Sequence, residues 1–382
     1  MVSKNQKRVL ILSDFAVEAY GGTERFVMGI ADWFSRKSQI IVDVLTPSKS
    51  HSKIKIKKST VFKFPSTLAS GRKRMNDYVS NFEKLVASGI NYNIIHSFYT
   101  LPPMLAGIRI KEKYGKKVIL NWFEKEPLEE HLKNPVERIL YKKIIIPKLL
   151  KADKMVFLTS SLRNYMLKNF FVNYPKMKTG TIMGWVDRKF HPNNRNRQNL
   201  KGRKIILFVG RLTIQKGAFF LLEAFAKIKN LVDAEIVFVG PPYQKDEVIQ
   251  QIKNLGISEY VKIVGSVSEK ELLDWYHKSY IVSVPTLYKG AFGLSLIEGM
   301  ACGKPVVGSD DLGLRDAIGN GGLVAKIGNV DSLAKALKVI LTDKSLYNIL
   351  RKNALARVER MFRKEIAMEK YRKMYEKVLK EN

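Results

Sequence analysis

Residues 284–308 read Val284-Pro-Thr-Leu-Tyr-Lys-Gly-Ala-Phe-Gly-Leu-Ser-Leu-Ile-Glu-Gly-Met-Ala-Cys-Gly-Lys-Pro-Val-Val-Gly308. The order is strand end, glycine loop, short helix, turn and next strand. Gly290 and Gly293 let the backbone turn tightly and approach a ligand closely. The helix is expected to begin near Leu294, with Leu296, Ile297, Met300 and Ala301 on its buried side. Its first N–H groups lack intrahelical acceptors and point into the loop, which makes an anion site. Glu298 lies one turn inside the helix and is the only acid between Asp274 and Asp310. Gly303-Lys304-Pro305 stops the helix, and Val306 and Val307 start a strand. Taken alone, the stretch is also the strand–loop–helix of any α/β protein, so its neighbours must decide.

Upstream, Lys204–Val209 is a continuous apolar run, a buried strand. It enters Gly210-Arg211-Leu212-Thr213-Ile214-Gln215-Lys216-Gly217, followed by a helix carrying Phe220, Leu221, Ala224 and Phe225. Two cations five apart, between a strand and a helix N-terminus, suit a pyrophosphate. Arginine offers a planar fork of donors, lysine a mobile charge, and the helix its positive end. Strands at 235–240, 261–265 and 281–284 alternate with helices near 246–254 and 269–277, as in a parallel α/β domain. Helices near 330–341 and 344–360 close it, and 363–380 reads as a long basic helix. Asp310-Asp311 lacks a spaced metal-binding pattern, and no metal is expected.

The first half opens with a buried strand, Val9–Ser13, and a Gly21-Gly22 turn. A helix with Phe26, Val27, Ile30, Ala31 and Phe34 on one face follows. This is the first unit of a doubly wound domain without the G-x-G-x-x-G dinucleotide spacing. Further strands are expected at 40–45, 94–98, 117–121 and 154–159. His96, at a strand end, is either packed or functional. Glu124 follows the strand ending at Trp122, where α/β sites form; it is a candidate carboxylate or a surface acid. Residues 193–204 are polar and rich in Lys and Arg, and mark a linker. The domains are accordingly placed at 1–195, 196–362 and, for the last helix, 363–382.

The charge is pronounced: Lys+Arg 67 against Asp+Glu 35, a net +32. Such a field suits nucleic acid, anionic membrane or phosphorylated substrates. The cations are spread along the chain without a nucleic-acid-binding motif, so nucleic acid is not the expected partner. Two basic segments interleave with apolar residues, 53–74 and 138–151. Each reads either as a solvated or core-packed element with a basic outer face, or as a surface for anionic lipid. No apolar run approaches the ~18–20 residues of a membrane span. The run Val9–Leu12 is too short for a signal-peptide core. The single cysteine, Cys302, excludes an internal disulfide. A cytoplasmic protein, with peripheral attachment to the membrane's inner face, is expected.

Together the segments resemble the retaining glycosyltransferases of the GT-B fold, family 4 (group 1). Phe292, Gly293, Glu298, Met300, Ala301, Gly303, Pro305, Val306 and Val307 fit that family's nucleotide-sugar motif. Gly210, Arg211, Lys216 and Gly217 fit its Gly-Arg-x-x-x-x-Lys-Gly motif, and Gly184–Pro192 its segment before the interdomain linker. The resemblance implies two Rossmann-like domains facing a cleft, with the last helix crossing back to the first. It implies transfer of a hexose from a nucleoside-diphosphate sugar, without a separate cofactor, to a glycan or lipid-linked acceptor. Arg211 and Lys216 would hold the diphosphate and Glu298 the ribose hydroxyls. Gly21, Gly22, Gly210, Val267, Gly290, Ala291, Phe292, Gly293 and Leu294 would line the donor. Two positions depart from the pattern. Gly290 stands where the family has a Glu, and Trp122 or Phe123 where many members have a histidine. Either a different sugar is used, or Glu124 or a backbone group substitutes, or nucleotide is bound without transfer.

Overall fold

In the computed structural model, residues 6–14, 22–66, 71–124, 128, 134–193, 202–287 and 292–381 are described. The chain divides into two units, residues 1–182 with 368–382, and residues 183–367. The first contains β1 (Arg8–Ser13), β2 (Ile41–Ser48), β3 (Ser52–Ile56), β4 (Ser59–Pro65), β5 (Ile94–Phe98), β6 (Lys117–Trp122), β7 (Lys154–Phe157) and β8 (Thr179–Thr181). They form one eight-stranded sheet in the order β3-β4-β2-β1-β5-β6-β7-β8. Every pairing is parallel except β3 with β4. Central strands such as β1, whose Val9–Leu12 are wholly buried, carry a continuous apolar run because helices cover both sheet faces. The helix Gly22–Lys37 buries Phe26, Val27, Ile30, Ala31 and Phe34, the face its spacing predicts.

The second unit is all parallel. It contains β9 (Lys204–Val209), β10 (Ala234–Val239), β11 (Val261–Gly265), β12 (Ile281–Val284), β13 (Val306–Ser309) and β14 (Gly322–Ala325). Their order is β11-β10-β9-β12-β13-β14. The chain therefore winds outward from β9 in one direction and then resumes on its other side at β12. Both sheets are doubly wound, and the fold is α/β of the expected kind.

The division of the chain differs from the linker reading. Residues 183–193 sit with the second unit, because their bonds lie there. The Val186 N–H donates to the Phe362 carbonyl (2.8 Å), and the Arg363 guanidinium donates to the Phe190 carbonyl (3.2 Å). Composition marks the polar stretch after residue 193, whereas these backbone bonds join positions far apart in sequence. At the other end, the helix Lys364–Lys380 has its residues from Met368 onward in the first unit. There Tyr371 donates to the Asn121 side chain (3.2 Å) and the Tyr375 hydroxyl meets His96 Nδ1 (2.8 Å).

Candidate functional site

In a doubly wound sheet the connections leaving the two strands at the order reversal diverge, and open a crevice at the strands' carboxyl ends. In the second unit these strands are β9 and β12. The connection after β9 is Gly210–Gly217, and the one after β12 leads to Phe292 and Gly293. The two motifs separated by some seventy residues are therefore neighbours, and they are tied together. The Gln215 carbonyl accepts from the Leu287 N–H (2.8 Å) and from the Thr286 hydroxyl (2.9 Å). The Thr286 carbonyl accepts from the Ser309 hydroxyl at the end of β13 (2.6 Å). Gly217 lies so close to β12's continuation that a Cβ there would stand 2.0 Å from the Pro285 oxygen, and its φ is +84°. Only glycine fits.

The other flank of the Arg211 loop is fixed to the connection after β10. The Leu212 N–H donates to the Pro241 carbonyl (3.0 Å), and the Ile214 N–H to the Gln244 side chain (2.9 Å). Held on both sides, the loop presents Arg211 to solvent, with Lys216 partly exposed one residue before Gly217, which precedes the helix Ala218–Ile228. Two cations and a helix N-terminus on a loop held from both sides are the elements from which an anion site can be built.

Gly293, at φ +74°, begins the helix Leu294–Ala301. Phe292 is buried, edge-on to Phe362 (5.9 Å between ring centres), so it anchors the loop. Glu298 is buried and accepts from the Tyr276 hydroxyl (2.7 Å). Tyr276 in turn packs edge-on against Phe190 (5.7 Å). The carboxylate is thus oriented by a residue that sequence reading passed over. The signal was present: Tyr276 is the one buried residue of the helix Glu269–Lys278, and a buried phenol needs a partner. At the end of the helix Leu294–Ala301, burial pushes the Cys302 thiol up to about 12, away from the thiolate form. Burial lowers the Lys304 ammonium to about 8, and it donates to the His277 carbonyl (2.9 Å).

The second unit thus gathers Gly210, Arg211, Lys216, Phe292, Gly293, Leu294 and Glu298 around one switch point. Val267, half-buried, follows β11 two strands away on the same sheet edge. Gly22 and Glu124 stand in the first unit, at the start of the helix Gly22–Lys37 and just after β6. Gly21, Gly290 and Ala291 lie outside the described residues, as does most of the linker. Trp122 is wholly buried, packed against Phe171 (5.3 Å). Phe123 packs among Phe26, Phe98 and Tyr99. His96 is fully buried, which settles its packed reading.

Two doubly wound units on one chain are the architecture of the GT-B glycosyltransferases. Residues 190–357 match the family of glycosyl transferases group 1. Among curated relatives, N-acetyl-alpha-D-glucosaminyl L-malate synthase of Bacillus anthracis is 25% identical over 308 residues, 78% of each chain. Sucrose-phosphate synthase from Thermosynechococcus elongatus superposes with a TM-score of 0.83 at 20% identity, covering 97% of this chain and 99% of that one. Anabaena HepE, solved in complex with UDP and glucose, gives a TM-score of 0.74 at 17% identity, covering 97% and 100%.

Proposed function

We propose that the protein is a retaining glycosyltransferase that moves a hexose from a nucleoside-diphosphate sugar to a glycan or lipid-linked acceptor, working at a membrane's inner face. The observation that carries this reading is the fixed Gly210–Gly217 loop beside the Glu298 helix, since it joins two halves of one nucleotide site. Arg211, Lys216 and the helix beginning at Ala218 take the diphosphate and stabilise its charge as the glycosidic bond breaks. Glu298, held by Tyr276, accepts from the ribose hydroxyls. Val267 borders the nucleobase. The backbone at Gly22, Gly210, Phe292, Gly293 and Leu294 lies against the phosphates and sugar. Glu124 supplies a carboxylate near the transferred sugar. The acceptor's proton passes to a donor phosphate oxygen. With cations on the leaving group, no metal is needed, so activity persists in excess EDTA. UDP and glucose in HepE favour a donor of that class.

Gly290 motivates a second reading, nucleotide-sugar binding without transfer, because glycine brings no side chain to the sugar.

Thermal stabilisation by UDP, GDP, ADP and their sugar conjugates tests the site. A ligand at ~100 times its Kd adds about 2.7 kcal/mol to the folded state. One nucleotide series should shift the wild type, and Arg211→Ala and Glu298→Ala should each weaken it at least about tenfold. No response to any nucleotide sinks the proposal. A response with no turnover on lipid-linked or glycan acceptors selects the second reading.

A further inference from the structure

The two basic segments left open by sequence come apart in the structure. In 53–64 most of the apolar side chains turn inward: Val61, Phe62 and Phe64 are buried, only Ile54 is exposed (39%), and the cations of β3 line a solvated edge. Residues 135–149 behave differently. Asn134 caps the helix Pro135–Leu140 by accepting from the Val136 N–H (2.9 Å). The helix then widens into a π turn, Tyr141–Ile145, and ends in Ile146–Leu149. Pro147 lacks an N–H and crowds the carbonyl four residues back, which accounts for the wider turn.

Tyr141, Ile146 and Leu149 face the core, but the stripe Val136, Ile139, Leu140 and Ile144 does not. These are 77%, 59%, 45% and 45% exposed. Their spacing of i, i+3, i+4 and i+8 sets them along one side of the helix. A stripe of this period normally lies against a core; here it lies against solvent. Arg138, Lys142, Lys143 and Lys148 are exposed around it and make no ion pair among the described residues. Glu137 is the only acid from 134 to 151.

We propose that residues 135–149 dock the protein on an anionic lipid surface, the apolar stripe entering the acyl boundary and the four cations meeting headgroups. Two features favour lipid over an acidic protein. The stripe lies on a short surface helix rather than in a groove, and the cations alternate with the apolar residues along it, the pattern of an interfacial helix. Clustered cations beside such a stripe draw it to anionic headgroups. The inference deepens the proposed function only at its membrane step; donor binding is a separate matter.

The test is co-sedimentation at low salt with vesicles of phosphatidylcholine alone and with a third phosphatidylglycerol. Wild type should pellet with the anionic vesicles. The neutral pair Ile139→Gln/Ile144→Gln should lower its partition at least about tenfold, while Lys53→Gln/Lys55→Gln stays within about twofold. Both pairs lie on the surface, so melting temperature and response to UDP should match wild type. That comparison separates failure of docking from failure of the donor site. Wild type that does not pellet overturns the proposal. So does an Ile139→Gln/Ile144→Gln pair that pellets like wild type, which would leave diffuse charge as the cause. A concentration-dependent dimer abolished by the same pair, without vesicle binding, assigns the stripe to a second copy and also overturns it.

Discussion

At the residue scale, two buried hydroxyl contacts carry separate consequences. Tyr276 holds Glu298 through one short bond to a buried carboxylate. Hydrogen bonds to charged groups contribute about 1.5–3 kcal/mol. Tyr276→Phe should therefore weaken nucleotide binding about tenfold and raise the donor KM more than it lowers kcat, because Tyr276 positions and does not react. Isothermal titration with the nucleotide that stabilises wild type measures this; unchanged affinity would show that Glu298 is held by other means. His96 concerns stability. Burial lowers its imidazole to about 3, against ~6.5 in an unfolded chain. The folded state then keeps His96 neutral while the unfolded state takes up a proton. Stability is fully present above pH ~6.5 and is lost as pH falls toward ~3, by up to about 1.4 kcal/mol per pH unit from this group. Urea unfolding of wild type and His96→Asn from pH 7 to pH 4.5 isolates it. The variant's stability should fall less steeply, and parallel slopes would refute the assignment.

At the element scale, the site depends on how closely two connections approach. Gly217 joins the Arg211 loop to the helix Ala218–Ile228 and leaves no room for a Cβ against Pro285. The obstacle is backbone, which cannot rotate away as a side chain can. The left-handed conformation alone costs a non-glycine residue ~1–2 kcal/mol, and overpacking adds ~1–3 kcal/mol. Gly217→Ala should accordingly lose about 3 kcal/mol in urea unfolding. It should also lose nucleotide-induced stabilisation, since relieving the clash separates Gln215 from Thr286 and Leu287. A variant as stable as wild type would mean the two connections are not packed as described.

At the scale of the whole molecule, the net charge of +32 acts against compactness. Like charges repel most when unscreened, and the screening length falls to about 10 Å at 0.1 M salt. The melting temperature should rise by several degrees between about 20 mM and 0.3 M sodium chloride. Scanning calorimetry checks this, and a flat or falling trend would show that local pairing already offsets the charge. No helix among the described residues is long and apolar enough to cross a membrane.

The sequence by itself determined the alternation of strand and helix, the double winding, and the identity of Arg211, Lys216 and Glu298 as candidates. These follow from local spacing: a buried strand is a short apolar run, a helix start is a glycine turn, and both fall within a dozen residues. Only the tertiary structure decided what depends on distant partners. It joined Gln215 to Thr286 and Tyr276 to Glu298, and buried Trp122 and His96. It also placed residues 183–193 with the second unit through bonds to Phe362 and Arg363. The stripe at 136–144 shows the limit most plainly. Periodicity tells which side chains share a face, but not whether anything covers it, because the covering comes from residues elsewhere in the chain.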